Sequence, residues 1–216
     1  MNALTTIDAN EQLSIFNADD GWADAAADYA DNVLRGELIK CTDGHWSMGR
    51  DSTPLKPDTR LVALGTVAAW VKWQDGKPTE YRVRKSGERF ADRDELGDAD
   101  ETEWETGPDD KPRDSWQNTR FVHFVDPATA GAFTYSTSSW SGRSAVIALG
   151  DQITRMRVAR PGAAPVVEFG SAPQQTKYGK KMKPVLKVVG WVGGSDEPKQ
   201  LDQLPKNGDM SDEIPW

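Results

Sequence analysis

The longest apolar run of the chain is Leu61 to Trp73, LVALGTVAAWVKW, with Gly65 inside it. Val, Leu and Trp at this density predict a buried strand, and the glycine predicts a bend or bulge within it. Asp75-Gly76 is a turn signal, and Thr79 to Arg84 reads as the returning strand. Thr119 to Val125 alternates: Phe121 and His123 face one way, Val122 and Phe124 the other. Asp126-Pro127 and Gly131 predict a turn, and Phe133 to Ser139 a β-branched, aromatic strand. Ser141 then offers an N-cap for a helix over roughly Gly142–Arg157, with Ala145, Leu149, Ile153 and Met156 as its apolar stripe. Pro161 and Gly162 end it. Val166 to Phe169 is a short strand, residues 171–183 a lysine-rich loop, and Val185 to Val192 the last strand.

Outside that block the patterns differ. Trp22, Ala26, Tyr29 and Val33 recur at helical spacing from an Asp19 or Asp20 cap to Leu34, and Gly36 stops the pattern. Residues 42–60 carry Gly44, Gly49, Pro54 and Pro57 and read as loop. Residues 92–114 are acidic, with Gly97, Gly107, Pro108 and Pro112, and read as a solvated, mobile excursion.

Three main strands, a helix, then two strands is the element order of an OB-fold, a five-stranded Greek-key barrel. The expected fold is therefore mainly β, an OB-fold-like barrel with one helix between its third and fourth strands. The expected organisation is an acidic N-terminal segment with a helix (1–51), the OB-like domain (52–195, holding the 92–114 loop) and a disordered acidic tail (196–216).

Charge sharpens this picture. The chain has 216 residues and a net charge of −8, which taken as an average argues against a nucleic-acid partner. The charge is segregated, however. Residues 52–91 hold eight basic against four acidic side chains, and residues 115–195 hold ten against three. Residues 1–51 hold three against ten, residues 92–114 three against eleven, and residues 196–216 two against six. The basic stretches are those that read as strands. No apolar run approaches the length of a membrane span, and the N-terminus lacks a secretory pattern. Cys41 is the single cysteine, so no intrachain disulfide forms, and a reducing cytoplasm fits.

Binding a single strand without sequence preference needs a positive groove for phosphates and aromatic faces for bases. The basic stretches supply both. The candidate DNA-binding residues are Trp73, Arg82, Arg84 and Lys85 in the first, and Arg120, Tyr135, Trp140, Arg143, Lys177, Tyr178, Lys180, Lys181 and Lys183 in the second. Core packing is the competing reading for each aromatic. It is the stronger one for Phe124, Phe133 and Trp191, which sit in apolar runs, and it stays open for Trp73, Trp116, Tyr135 and Trp140. Tyr178, in a lysine loop beside a glycine, is the leading stacking candidate.

The chain ends Asp209-Met210-Ser211-Asp212-Glu213-Ile214-Pro215-Trp216. This segment resembles the C-terminal peptide of single-stranded DNA-binding proteins of bacteria and phages, where an acidic run precedes Ile-Pro and a terminal Phe. Asp209, Asp212 and Glu213 match the acidic run, Ile214 and Pro215 the pair, and Trp216 stands where Phe is usual. The resemblance covers about eight residues. It implies that these six side chains dock onto proteins of replication and recombination. An aromatic anchor stiffened by proline suits such docking, and the acidic residues steer it to basic rims.

Chemistry-bearing motifs are otherwise sparse. Cys41 and His45 have no second pair to complete a zinc site. Gly-x-Gly-x-x-Gly and Walker-type loops do not occur, and no nucleophile is spaced with a base. The expected function is non-enzymatic, with no cofactor and no membrane partner: coating of single strands and recruitment of partners, with a homo-oligomer compatible. Two rivals share parts of this pattern, a strand-annealing recombination protein and an acidic adaptor that binds proteins only.

Overall fold

The structure, a computed structural model, describes residues 33–194 apart from residues 86, 108–109 and 177–178. The helix expected over 19–34 falls almost wholly outside the described residues, as do Lys177, Tyr178 and the tail from Asp209 to Trp216.

The described chain is mainly β with one α-helix. Its strands are β1 (Glu37–Thr42), β2 (His45–Met48), β3 (Thr53–Pro54), β4 (Arg60–Gln74), β5 (Lys77–Val83), β6 (Glu105–Thr106), β7 (Pro112–Arg113), β8 (Trp116–Val125), β9 (Ala132–Thr137), β10 (Ala164–Thr176) and β11 (Gly179–Val192). The helix, α1 (Trp140–Ala159), lies between β9 and β10. One sheet runs in the order β11-β10-β4-β8-β9-β1-β2-β3, and β5 pairs with the far half of β4. All pairings are antiparallel except β1 with β9. The strands do not close into a barrel. The gap is bridged by side chains instead, with the Trp46 indole nitrogen donating to the Gly170 carbonyl at 2.7 Å.

The bend anticipated at Gly65 is present as a register shift between Ala63 and Gly65 where β4 pairs with β8. The shift splits β4. Its first half contributes Leu61 and Ala63 to the main core, which also holds Ile39, Trp46, Val122, Phe124 and Tyr135. The far half contributes Ala69 and Val71 to a second cluster on the other face, with Val33 and Phe121. The alternation read from Phe121 to Phe124 is therefore real: Val122 and Phe124 enter one cluster and Phe121 the other. His123 is buried beside Phe121, and its Nε2 donates to the Val33 carbonyl at 2.9 Å.

Several sequence expectations need correction. The helix is capped by Ser139, not Ser141: the Ser139 hydroxyl accepts from the Gly142 amide at 3.1 Å. Its buried stripe is Gly142, Val146, Leu149 and Ile153, so Ala145 and Met156 sit to one side of it. Residues 42–60 hold two short strands, β2 and β3, and the boundary drawn at residue 52 falls inside the sheet that β1 and β2 share with β9. Gly36, with φ of 60°, opens β1: a Cβ there would lie 1.7 Å from the Ala132 carbonyl oxygen, so the close approach of the two strands requires glycine. Residues 171–176 and 179–183 are not loop but the outer part of the β10–β11 ribbon, paired from Ser171↔Pro184 to Thr176↔Gly179. The described residues of the acidic 92–114 segment form regular structure as well. It carries two 3-10 turns and the β6–β7 pair, and is tied down by a bidentate Arg93–Asp114 contact at 2.6 and 2.8 Å.

Candidate nucleic-acid interface

Beyond Val67 the side chains of β4 alternate between two environments. Val67, Ala69, Val71 and Trp73 belong to the second apolar cluster with Tyr81 and Val83 of β5. By alternation, Ala68, Trp70 and Lys72 face the other way. The register brings Arg82 opposite Trp70, and Trp116, Asn118 and Arg120 of β8 opposite Lys72, Trp70 and Ala68. Arg84 extends the ladder, its amide donating to the Ala68 carbonyl at 2.9 Å. Three strands thus set four cations (Lys72, Arg82, Arg84 and Arg120) and two indoles on one face.

These groups contact one another in sequence across the face. The Arg82 guanidinium lies 4.9 Å and the Lys72 ammonium 5.8 Å from the centre of the Trp116 ring. Trp70 stacks on Phe90, centroids 5.6 Å apart and planes 10° from parallel, and Arg120 lies over the same Phe90 ring at 5.0 Å. Cation–π contacts of this kind hold a guanidinium flat while leaving its N–H edge free to bond. The 84–115 arm supplies acidic partners to one side. Asp98 accepts from Lys72 at 2.8 Å and from the Trp116 indole at 2.9 Å. These two donors, Lys72 first, hold its carboxyl below the ordinary range. Glu80 engages Arg82 at 2.8 Å.

Arg84, Arg120 and Arg143 are different. None of the three forms an ion pair among the described residues. The Nε atoms of Arg120 and Arg143 are buried and bonded to nothing. Burial first, then the neighbouring charges of Arg84 and Arg143, depress the Arg120 guanidinium below its ordinary value. Arg143 reaches this place because Arg120 pairs with Thr137 at the end of β9, and α1 starts two residues later at its Ser139 cap. Trp140, in the first turn of the same helix and one turn before Arg143, is 68% exposed, a large apolar ring left in solvent. A cavity of about 610 Å³ opens beside Arg84 and Arg120, between Gly65–Ala68 of β4 and the flank of α1 that carries Val146, Gly150 and Ile153.

No protein-family model matches this chain, and neither a curated protein nor a solved structure matches it. What the face can do rests on its own chemistry: anions at the arginines, flat rings at half-buried Trp70 and exposed Trp140, with Trp116 buried beneath Lys72 and Arg82. Among the described residues no group of three or more His, Cys, Asp or Glu is placed to hold a metal ion, and no helix is long and apolar enough to cross a membrane.

Of the residues expected from the sequence, Arg82, Arg84 and Arg120 lie on this face, Arg143 and Trp140 come from the first turn of α1, with Arg143 near Arg120, and Lys85 follows Arg84 in an exposed position. Two aromatics are corrected. Tyr135 is 1% exposed in the main core, where burial drives its phenol up to about 12, so its ring is beyond the reach of a ligand. Trp73 packs on the second apolar cluster, on the opposite face of β4. Lys180, Lys181 and Lys183 are exposed but lie elsewhere. The ribbon runs past Arg60 at the start of β4, while the arginines flank Ala68, about 25 Å along the strand at its usual rise. The arm residues Phe90 and Asp98 were not selected at all. The signal for Phe90 was weak, a single aromatic in a polar stretch, and Asp98 is one carboxylate among eleven.

Proposed function

We infer that this chain binds single-stranded DNA without sequence preference and coats it in phage or bacterial replication and recombination. The observation that carries the reading is the set of three arginines without acidic partners, next to stacked and exposed rings on the sheet face and the first turn of α1. Phosphates need unneutralised cations, and bases of any identity stack on a flat ring. Duplex DNA offers the phosphates but keeps its bases stacked inside, so the rings favour the single strand.

The topology supports an OB-like arrangement. The strands β4, β8 and β9 form a meander, α1 follows, β10 returns antiparallel to β4, and β11 pairs on β10. In that scheme β5 and the 84–115 arm join the first two strands and the β10–β11 ribbon joins the last two, the two positions an OB-fold uses for oligonucleotides. Recruitment of partner proteins by Asp209, Asp212, Glu213, Ile214, Pro215 and Trp216 is supported by the resemblance of that segment alone.

The test is a titration of equal-length single and double strands at several salt concentrations. The single strand binds more tightly, with a slope of about 0.7 per phosphate neutralised on log–log axes. Equal affinity for duplex, or no binding at low salt, overturns the reading. A chain lacking residues 209–216 retains DNA binding and no longer retrieves replication proteins.

A further inference from the structure

We propose that Arg84, Arg120 and Arg143, with the cavity beside them, form a seat for a phosphate monoester: the phosphorylated end of a nucleic-acid strand or a free nucleotide. The proposal rests on the reading that this face binds nucleic acid and deepens it.

The backbone builds the seat. Arg84 and Arg120 flank Ala68 on neighbouring strands, so their Cα atoms stand roughly 10 Å apart with only a methyl group between them. The third guanidinium comes from the first turn of α1, where the Arg143 amide bonds to the Ser139 carbonyl at 2.9 Å. Phe90 lies beneath Arg120 at 5.0 Å and occupies the face of its guanidinium, which leaves the in-plane N–H groups to reach outward. The Nε groups of Arg120 and Arg143 are buried without a partner, and a buried charged donor gains most from an anionic acceptor.

The shape and charge of the site select among phosphates. The cavity of about 610 Å³ is walled by β4 on one side and by Val146, Ile147 and Gly150 of α1 on the other. A strand that runs across the face meets the helix there, whereas a strand end fits between the walls. Asp151 is the one carboxylate among the lining residues, and Arg157 adds a further cation. Arg84 and Arg120 line the cavity, and Arg143 stands near enough for its charge to act on Arg120; a cluster of three cations suits a dianion better than the single charge of a phosphodiester. The ligand has a second ionisation near pH 6, so its charge, and with it the affinity, declines below that pH.

The experiment uses the full-length chain and three labelled oligonucleotides of one sequence: unmodified, 5′-phosphorylated and 3′-phosphorylated. One phosphorylated end is expected to bind roughly tenfold more tightly than the unmodified strand, as a set of charge-assisted bonds gives, and to lose that advantage at pH 5. Arg143→Gln removes the advantage, as does Arg84→Gln. Adenosine monophosphate is titrated as a competitor, to separate a free nucleotide from a strand end as the source of the phosphate. If the three oligonucleotides bind alike and adenosine monophosphate does not bind, the seat is overturned while the single-strand reading stands. If no oligonucleotide binds but adenosine monophosphate does, in a manner Arg143→Gln abolishes, the seat stands and the single-strand reading falls.

Discussion

Asp98 holds the Lys72 ammonium at 2.8 Å, and this one carboxylate stands between the 84–115 arm and the cationic face of β4. The same carboxylate takes the Trp116 indole N–H at 2.9 Å. The contact occupies a cation that a phosphate would otherwise use, while the Trp116 ring, buried under Lys72 and Arg82, serves as their support. Asp98→Asn removes the negative charge while keeping the size of the side chain. Single-strand affinity should rise by roughly three- to tenfold at low salt, and the salt slope should increase by about 0.7 as Lys72 is released to a phosphate. Anisotropy titrations of the two proteins at several salt concentrations check this; identical curves would place the DNA path away from Lys72.

Stability should depend on pH through His123. Burial, the largest cause, and the nearby Arg35 push its pKa down, against the opposing effect of its bond to the Val33 carbonyl. In the unfolded chain the ring protonates near pH 6.5; in the folded chain it does so only at lower pH. The neutral ring's contribution is therefore complete above about pH 6.5 and is lost as pH falls, at up to about 1.4 kcal/mol per pH unit. The depressed carboxyls of Glu95, Asp98, Asp100 and Asp126 act in the same direction but below the ordinary carboxylate range, near pH 4. Melting curves at pH 7.5 and 5.5 should show a drop for the native chain and a smaller one for His123→Gln, whose amide still donates to the carbonyl.

What the sequence revealed follows from what apolar periodicity can encode. The bulge at Gly65, the alternation through Phe121–Phe124 and the Leu149–Ile153 stripe of α1 were legible, because each buries one face of a regular element. The 171–176 and 179–183 strands were not. Ser171, Pro173, Lys181 and Lys183 are exposed, and the alternate positions of 171–176 are only half-buried and include Gln174 and Thr176, so no period-two apolar signal exists. The 92–114 arm owes its order to Arg93–Asp114, Arg89–Glu95 and Asp98–Lys72, and ion pairing between distant residues leaves no local pattern. At the site, Arg84, Arg120 and Arg143 were legible as members of the two basic stretches. Their convergence was not, since it depends on Arg84 and Arg120 lying beside the same alanine. Tyr135 was misplaced because the polar neighbours Thr134 and Ser136 disguise a residue that faces the core.

The ribbon lysines provide a check on the extent of the interface. Lys180, Lys181 and Lys183 sit at the opposite end of β4 from the arginines, so only a long strand spans both. Lys180→Ala with Lys181→Ala should leave the affinity for an oligonucleotide of about five nucleotides unchanged. The same pair should weaken binding of a 30-mer and lower its salt slope by about 1.4, two phosphates' worth. An equal loss at both lengths would mean that the ribbon and the arginines meet on a single short segment.

Gly142 links the fold to the arginine cluster. It is buried in the first turn of α1, where that turn packs on the end of β9. A Cβ at this position would lie 2.1 Å from the Thr137 hydroxyl oxygen, 2.8 Å from the Ser139 cap oxygen and 2.9 Å from the Thr137 Cβ. The hydroxyls can rotate, but the Thr137 Cβ is fixed to the strand, so the helix start must move outward. In an exposed helix, glycine to alanine stabilises by up to about 1 kcal/mol. Here the overlap should reverse the sign, and Gly142→Ala should destabilise by about 1–3 kcal/mol. Since the Gly142 amide and the Ser139 hydroxyl form the cap, the displaced turn should also carry Arg143 away from Arg120 and weaken single-strand binding. Thr137→Ala in the same chain removes the hydroxyl oxygen that lies 2.1 Å from the new Cβ and leaves, of that side chain, only the Thr137 Cβ in its way. It should restore some of both losses. Denaturant melts and anisotropy titrations on the single and double variants measure the two effects together. A Gly142→Ala chain that is more stable and binds DNA normally would show that the helix start is free of β9 and does not position Arg143.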